Sequence, residues 1–317
     1  MRGAPSAPGG MARRPRRGRL HGPARIALGC LLLLALASLL TLPWTARLMD
    51  AQDLARALTP PPAGIGELAQ TPLIDWLGRD ANGRSLLVRC LYGGAVSMAF
   101  GLLAAFLAVT LGVAYGLVSG YLGGGVDGLL MRLLDVFQSL PHILLVMLLS
   151  ISLQPRLQQL LPAGLDRWAN FLILACAIGA VSWLTMARVI RGQVLSLRGQ
   201  AFAEAARALG CSRRRILVRH LLPHLTGPIL VYAALTVPSA ILQESFLSFL
   251  GIGIQQPLPT WGALASEGLL PALNTIDSRW WMLVFPCILL AITLLCLNFV
   301  GDGLRDVFDP KREAARI

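Results

Sequence analysis

Two histidines four residues apart, His220 and His224, are the first candidates for chemistry in this chain. A zinc-binding pair at that spacing needs His-Glu-x-x-His on one continuous helix. No Glu follows His220, and Pro223 stands between the two. The pair is therefore not read as a metal site. His142 lies in an apolar run beside Pro141 and reads as a packing or hydrogen-bonded residue. No Ser/His/Asp set and no paired acids are spaced as an active site. A P-loop needs a Lys directly after a Gly to reach nucleotide phosphates. The only Lys, Lys311, follows Pro310. The chain carries no catalytic constellation of its own.

A few charges lie within or beside apolar runs, where charge is costly and often functional. Glu244 sits near one end of such a run. A hydrogen-bonded structural role is favoured for it over contact with a substrate amine. Arg132 and Asp135 lie three apart, within pairing distance on a helix. Both are candidates for a pathway or structural role. Asp302, Arg305, Asp306 and Asp309 form a mixed cluster after the last apolar run.

The elements that position these residues follow from composition. The chain has 317 residues, of which 55% are hydrophobic and only 14% charged. A soluble domain carries about a quarter charged residues. Apolar runs near 20 residues with few charges read as membrane-spanning helices. Six spans are expected, giving an all-α integral membrane protein. They run near Ile26 to Trp44, Gly93 to Tyr121, Leu129 to Leu153, Asn170 to Ile190, Pro228 to Leu250 and Trp280 to Val300. The third needs the amphipathic stretch before Leu140 to reach spanning length. In domain terms, residues 1–24 read as a disordered basic tail and 25–44 as an uncleaved first span. Residues 45–90 form an external loop, 91–303 a five-helix core, and 304–317 a C-terminal tail.

The net charge of +12 is clustered between apolar runs rather than spread over one face. That pattern is the positive-inside rule, not a nucleic-acid surface. Twenty basic residues fall on the side of the N-terminal tail and eight on the other. Both termini are placed in the cytoplasm. Four of the six cysteines lie inside apolar runs, and Cys90 and Cys211 fall on opposite sides, so no disulfide framework is expected. Gly112, Gly116 and Gly120, at four-residue spacing, form a small-residue ladder that lets another helix approach closely in lipid.

The cytoplasmic stretch "FAEAARALGCSRRRILVRHLLPHL", Phe202 to Leu225, stands between two spans. On a helix, Phe202, Ala205, Ala206 and Leu209 make one apolar stripe. Glu204 and Arg207 lie off it and can pair. Gly210 suits a left-handed C-cap. A second basic helical stretch follows, which Pro223 is expected to end. A short capped helix of small residues suits insertion into a partner's groove. It equally suits an amphipathic helix lying on anionic lipid.

The series Glu204, Ala205, Ala206, then Gly210, then Leu222 and Pro223 resembles the "EAA" loop of ABC importer permeases. His220 stands where the general pattern has Ile. "LGRDANGRSLLVRCLYGGAVSM" resembles the external segment of the C-type dipeptide and oligopeptide permease subunits. The family reads Gly-Thr-Asp and Gly-Arg-Asp there, whereas this chain has Arg79 for the Thr and Ser85 for the second Asp. "ESFLSFLGIGIQQPLPTWGAL" and "WWMLVFPCILLAITLLCLNFVGDGLRDVFDP" are similar to the same dipeptide, oligopeptide and nickel permeases. The resemblance spans about residues 72–311.

The resemblance implies a type I importer transmembrane domain with both ends inside, in a bacterial inner membrane. It implies a non-catalytic subunit that couples to an ATPase through residues of about 199–224: Glu204, Ala205, Ala206, Arg207, Leu209, Gly210, Leu222 and Pro223. Two cytoplasmic ATPase subunits, a second permease subunit and an extracytoplasmic solute-binding protein are the implied partners, besides membrane lipid. No cofactor is expected on this chain, ATP and Mg being used by the ATPase. Peptides are the implied substrate. The alternatives are a stand-alone secondary transporter, which the missing internal repeats disfavour, and a membrane enzyme or anchor, which the missing catalytic set disfavours.

Overall fold

A computed structural model describes residues 21–160, 166–254 and 256–308. Residues 1–20 of the basic N-terminal tail and the last nine residues, with Asp309 and Lys311, lie outside the described residues, and Gly22 to Ala24 of the expected tail already belong to the first helix. Twelve helices are assigned among the described residues. They are α1 Gly22–Leu40, α2 Leu42–Leu48, α3 Ile65–Gln70, α4 Leu86–Leu122, α5 Gly124–Ser139 and α6 His142–Leu160. They continue with α7 Asp166–Leu197, α8 Ala201–Ala208, α9 Arg213–Arg215, α10 Thr226–Phe249, α11 Trp261–Ala272 and α12 Trp281–Phe308.

Five helical stretches are long and apolar enough to cross a membrane: Gly22–Leu40, Leu86–Leu122, Trp168–Leu197, Arg213–Phe249 and Trp281–Phe308. The third expected span, Leu129 to Leu153, is not one helix. Gly124–Ser139 and His142–Pro155 meet at 91°. The cause is local. Pro141 disfavours helical backbone in the residue before it, and Leu140 is extended at φ −81°, ψ 142°.

Packing centres on α4 and α7. The glycine ladder lies in their seam. A Cβ at Gly112 would stand 2.5 Å from the Met186 Cβ, one at Gly116 would stand 2.5 Å from the Ala187 carbonyl, and one at Gly120 would stand 2.8 Å from the Val194 Cβ. The two backbones approach at distances that only a missing side chain permits. α10 packs on α4 and α12, and α1 lies along α12. The outward faces of α1 and α4 carry exposed Leu and Phe side chains such as Leu33, Leu102 and Phe106. In lipid those faces need no protein cover.

Several boundaries differ from the sequence reading. α4 begins at Leu86 because Ser85 caps it, its hydroxyl accepting from the Val88 N–H at 3.3 Å. α12 runs on to Phe308. Asp302, Arg305 and Asp306 are therefore its last turns and not a separate tail, and Asp306 stands 3.6 Å from His21 at the start of α1. α11 has no counterpart in the sequence reading. Its N-cap is Thr260, whose hydroxyl accepts from the Ala263 N–H at 3.0 Å.

Candidate functional site

α7 delivers the chain to Arg198, and α8 begins after an extended Gln200. The helix ends eight residues later at Ala208, and past the C-cap Leu209 stands Gly210, which has φ +73°. The Cys211 N–H returns to the Ala206 carbonyl at 3.1 Å and the Gly210 N–H to the Arg207 carbonyl at 2.9 Å. This is the Schellman arrangement, and the left-handed residue it requires favours Gly. Ser212 then caps the next turn, accepting from the Arg215 N–H at 3.4 Å.

Pro223 does not end that second stretch. Residues Ile216–Leu221 form a π turn and Leu222–Leu225 a 3-10 turn, and the path continues into α10. Proline lacks the N–H that would bond back one turn, and its ring crowds the preceding carbonyl. Widening the turn before it accommodates both effects. Arg213 to Phe249 is consequently one continuous helical path.

α8 presents two faces, divided differently from the expected stripe. Ala203 and Ala206 are buried at 0% and 5% exposure, and Phe202 packs beside them. They rest on a cluster that includes Met186, Ile190, Ile216, Leu221 and Leu225. Ala205 is exposed, and Leu209 is 83% exposed. Glu204 and Ala208 lie on the same outer face. At 100° per residue, Phe202, Ala203 and Ala206 fall within about 100° of arc, Glu204 and Ala208 lie opposite them and Ala205 lies between, while Leu209 is exposed as the C-cap residue where the helix ends.

Arg207 does not pair with Glu204. Its guanidinium lies over the Tyr121 ring, 5.6 Å from the centroid, and donates to the Arg198 carbonyl at 2.9 Å. The two histidines do not converge either. The His224 ring stacks on Phe202 with centroids 4.7 Å apart, and its Nδ1 lies 2.7 Å from the His220 carbonyl oxygen. Leu222 and Pro223 stand at the root of α10, where Leu225 enters the buried cluster. The loop is thus braced by the Gly210 and Ser212 caps and seated on the ends of α4, α7 and α10.

Asp135 pairs with Arg188 on α7 at 2.6 Å, and not with Arg132 one turn away. Glu244 is fully buried. Its Oε1 accepts from the Thr260 hydroxyl at 2.7 Å and from Ser248 at 2.9 Å. Thr260 is the N-cap of α11, so the carboxyl ties α10 to the start of α11.

On the opposite side of the molecule, a charge cluster organises the segment before α4. Asp80 accepts from Arg84 at 2.7 Å and from Arg89 at 2.8 Å. Arg89 also donates to Glu267 on α11 at 2.7 and 3.2 Å. Arg79 donates to Asp75 at 2.7 Å and to the Gly83 carbonyl at 2.8 Å. In the sequence this segment reads as an external loop resembling that of the C-type permeases, without its ion pairs. Its signal was the density of Arg79, Asp80, Arg84 and Arg89 within eleven residues. The two positions that depart from the family pattern both have work here: Arg79 binds Asp75, and Ser85 caps α4.

The fold and this loop define a helical, multi-pass membrane component with a rigid, outward-facing helix on its basic side. Residues 112–314 match the family "Binding-protein-dependent transport system inner membrane component", and the chain belongs to that family. It is a permease subunit, non-catalytic in itself. It is 49% identical over 236 residues to the oligopeptide transport system permease protein OppC of Escherichia coli (strain K12), covering 74% of this chain and 72% of that protein. It is 36% identical to the dipeptide transport system permease protein DppC of Bacillus subtilis (strain 168), covering 74% and 68%. A probable D,D-dipeptide transport system permease protein, DdpC of Escherichia coli (strain K12), is 33% identical over 290 residues, covering 91% and 88%. Among solved structures, a chain of the MetNI methionine ABC transporter in inward-facing form matches with a TM-score of 0.53 at 19% identity, covering 70% of this chain and 97% of that one. That likeness shows the fold, a type I importer transmembrane domain.

Proposed function

We propose that this chain forms half of the translocation pathway of an ATP-driven peptide importer in a bacterial inner membrane, with oligopeptides as its substrate class. The relatives named for oligopeptide and dipeptide transport support the substrate class. A second, non-identical permease subunit completes the pathway. Two ATPase subunits use ATP and Mg below the membrane, and an extracytoplasmic solute-binding protein delivers the substrate.

The observation that carries this reading is the two-faced α8. Its inner face is locked to the bundle through Ala203, Ala206 and Phe202. Its outer face offers Glu204, Ala205, Ala208 and Leu209 to a partner. Small side chains there let a groove close on the helix backbone. A docking contact drives a conformational change only if its free energy differs between the partner's two states. With ATP closing the ATPase pair, α8 moves as a rigid lever. Its displacement passes through the stacked Phe202 and His224 into α10, and through the chain at Arg198 into α7.

The test is peptide uptake into vesicles holding the assembled transporter. Uptake should require ATP inside the cytoplasmic compartment and should fall on Ala205→Trp. ATP-independent uptake by this chain alone would replace the reading with a secondary transporter.

A further inference from the structure

Three arginines, Arg198, Arg207 and Arg213, line a cavity of about 420 Å³ at the end of α4, together with Tyr121 and Leu122. Among the described residues none of the three has a carboxylate within ion-pair distance, whereas Arg188 and Arg191 on α7 pair with Asp135 and Asp127. The cavity is held in shape. Arg198 donates to the Gly120 carbonyl at 3.0 Å, which fixes its guanidinium across the last turn of α4. The next residue but two is Gly123 at φ +65°, and a Cβ there would stand 2.4 Å from the Arg198 Nη1. A side chain there would displace this guanidinium, and the positive φ itself favours glycine. Arg207 is held in turn by the Tyr121 ring and the Arg198 carbonyl.

We infer that this cavity binds a phosphate group, and that its ligand is the headgroup of an anionic membrane lipid. Guanidinium groups bind phosphate oxygens through paired charged hydrogen bonds. Three of them face one cavity whose lining holds no carboxylate, and Asp127, the acid near Arg198, is already paired with Arg191, so a surplus of positive charge remains that an anion neutralises. The cavity sits where a long apolar helix ends, beside the exposed side chain of Leu122. That is the level at which lipid phosphates lie against a spanning helix. Arg207 lies on the membrane side of α8, about 160° around the helix from Ala205 at 100° per residue. An anion bound here leaves the outer face of α8 free. The inference takes the cytoplasmic orientation of this loop from the reading above.

Native mass spectrometry of the full chain, purified in mild detergent with phosphatidylglycerol or phosphatidylcholine, tests it. Phosphatidylglycerol should be retained and phosphatidylcholine lost. A double variant, Arg198→Gln with Arg213→Gln, should weaken retention about thirty-fold, or about fivefold per juxtamembrane arginine. Arg214→Gln with Arg219→Gln removes the same charge outside the cavity and should leave retention intact. Arg213→Gln alone changes an exposed residue and keeps the test readable if the Arg198 change impairs folding. Titration of the lipid-free chain with inorganic phosphate separates the sources. Saturable phosphate binding lost in the cavity variant, without lipid retention, would keep the site and overturn the headgroup as its ligand. Equal losses in both double variants, or no binding of either ligand, would overturn the site. Impermeant thiol labelling of Ser212→Cys in a Cys211→Ser background reads the side of the membrane independently. Labelling from outside would overturn the orientation and the lever reading while leaving the cavity's anion binding to stand.

Discussion

The ring of Phe202 lies flat against the imidazole of His224, with centroids 4.7 Å apart and planes 10° from parallel. Phe202 belongs to α8 and His224 to the root of α10, so this stack is a direct mechanical link between them. Phe202→Ala should remove about 1 kcal/mol of ring pairing beyond the lost burial. Peptide uptake should fall several-fold while the purified chain keeps its helical content. His224→Phe preserves a flat aromatic pair and should retain most uptake. A role for His224 in metal or proton chemistry predicts the reverse, with His224→Phe inactive.

The two faces of α8 make opposite predictions for neighbouring alanines. Ala206 is buried against the cluster beneath, so Ala206→Leu should overpack it at a cost of about 1–3 kcal/mol. The midpoint of thermal aggregation in detergent should drop accordingly. Ala205 is exposed, so Ala205→Trp should leave that midpoint unchanged.

Gly116 faces the Ala187 carbonyl at a distance no Cβ tolerates, 2.5 Å. Gly116→Ala should therefore force α4 and α7 apart and destabilise the chain. Gly192 in α7 has open space within 4 Å. Gly192→Ala should be neutral or stabilise by up to about 1 kcal/mol, the ordinary gain of Ala over Gly in a helix. Thermal unfolding of the two variants side by side checks the pair.

Arg89 is 2% exposed and bridges Asp80 to Glu267. Arg89→Met leaves the Asp80 carboxylate buried with Arg84 as its remaining ion-pair partner. Removing one member of a buried pair costs about 3–5 kcal/mol. The expected outcome is loss of the folded chain, or protease cleavage within residues 75–85. Arg89→Lys cannot reproduce the paired contact to Glu267 and should fall between the two.

Five of the spans, the glycine seam and the short capped helix after α7 were legible in the sequence because each has a short-range signature. Apolar run length, four-residue glycine spacing and the Glu-Ala-Ala to Gly interval are all local. What it did not carry depends on distant partners. The stripe of Phe202, Ala205, Ala206 and Leu209 was equally apolar all along. Only the position of Ile216 and Leu221 decides that Ala203 and Ala206 face inward. Asp135 had Arg132 one turn away, but the bend at Leu140–Pro141 sets α5 against α7, and Arg188 wins. The turn at Pro223 was read as a stop because a π turn leaves no mark in composition. The charge cluster around Arg89 needed Glu267, 178 residues further along the chain.

In the proposed coupling, the outer face of α8 transmits the ATPase's work. The most direct measurement is the peptide-stimulated ATPase rate of the reconstituted transporter carrying Ala205→Trp. A properly assembled, thermally normal complex is expected whose ATPase is no longer stimulated by loaded binding protein, with uptake reduced at least tenfold. Full stimulation and full uptake in that variant would contradict it.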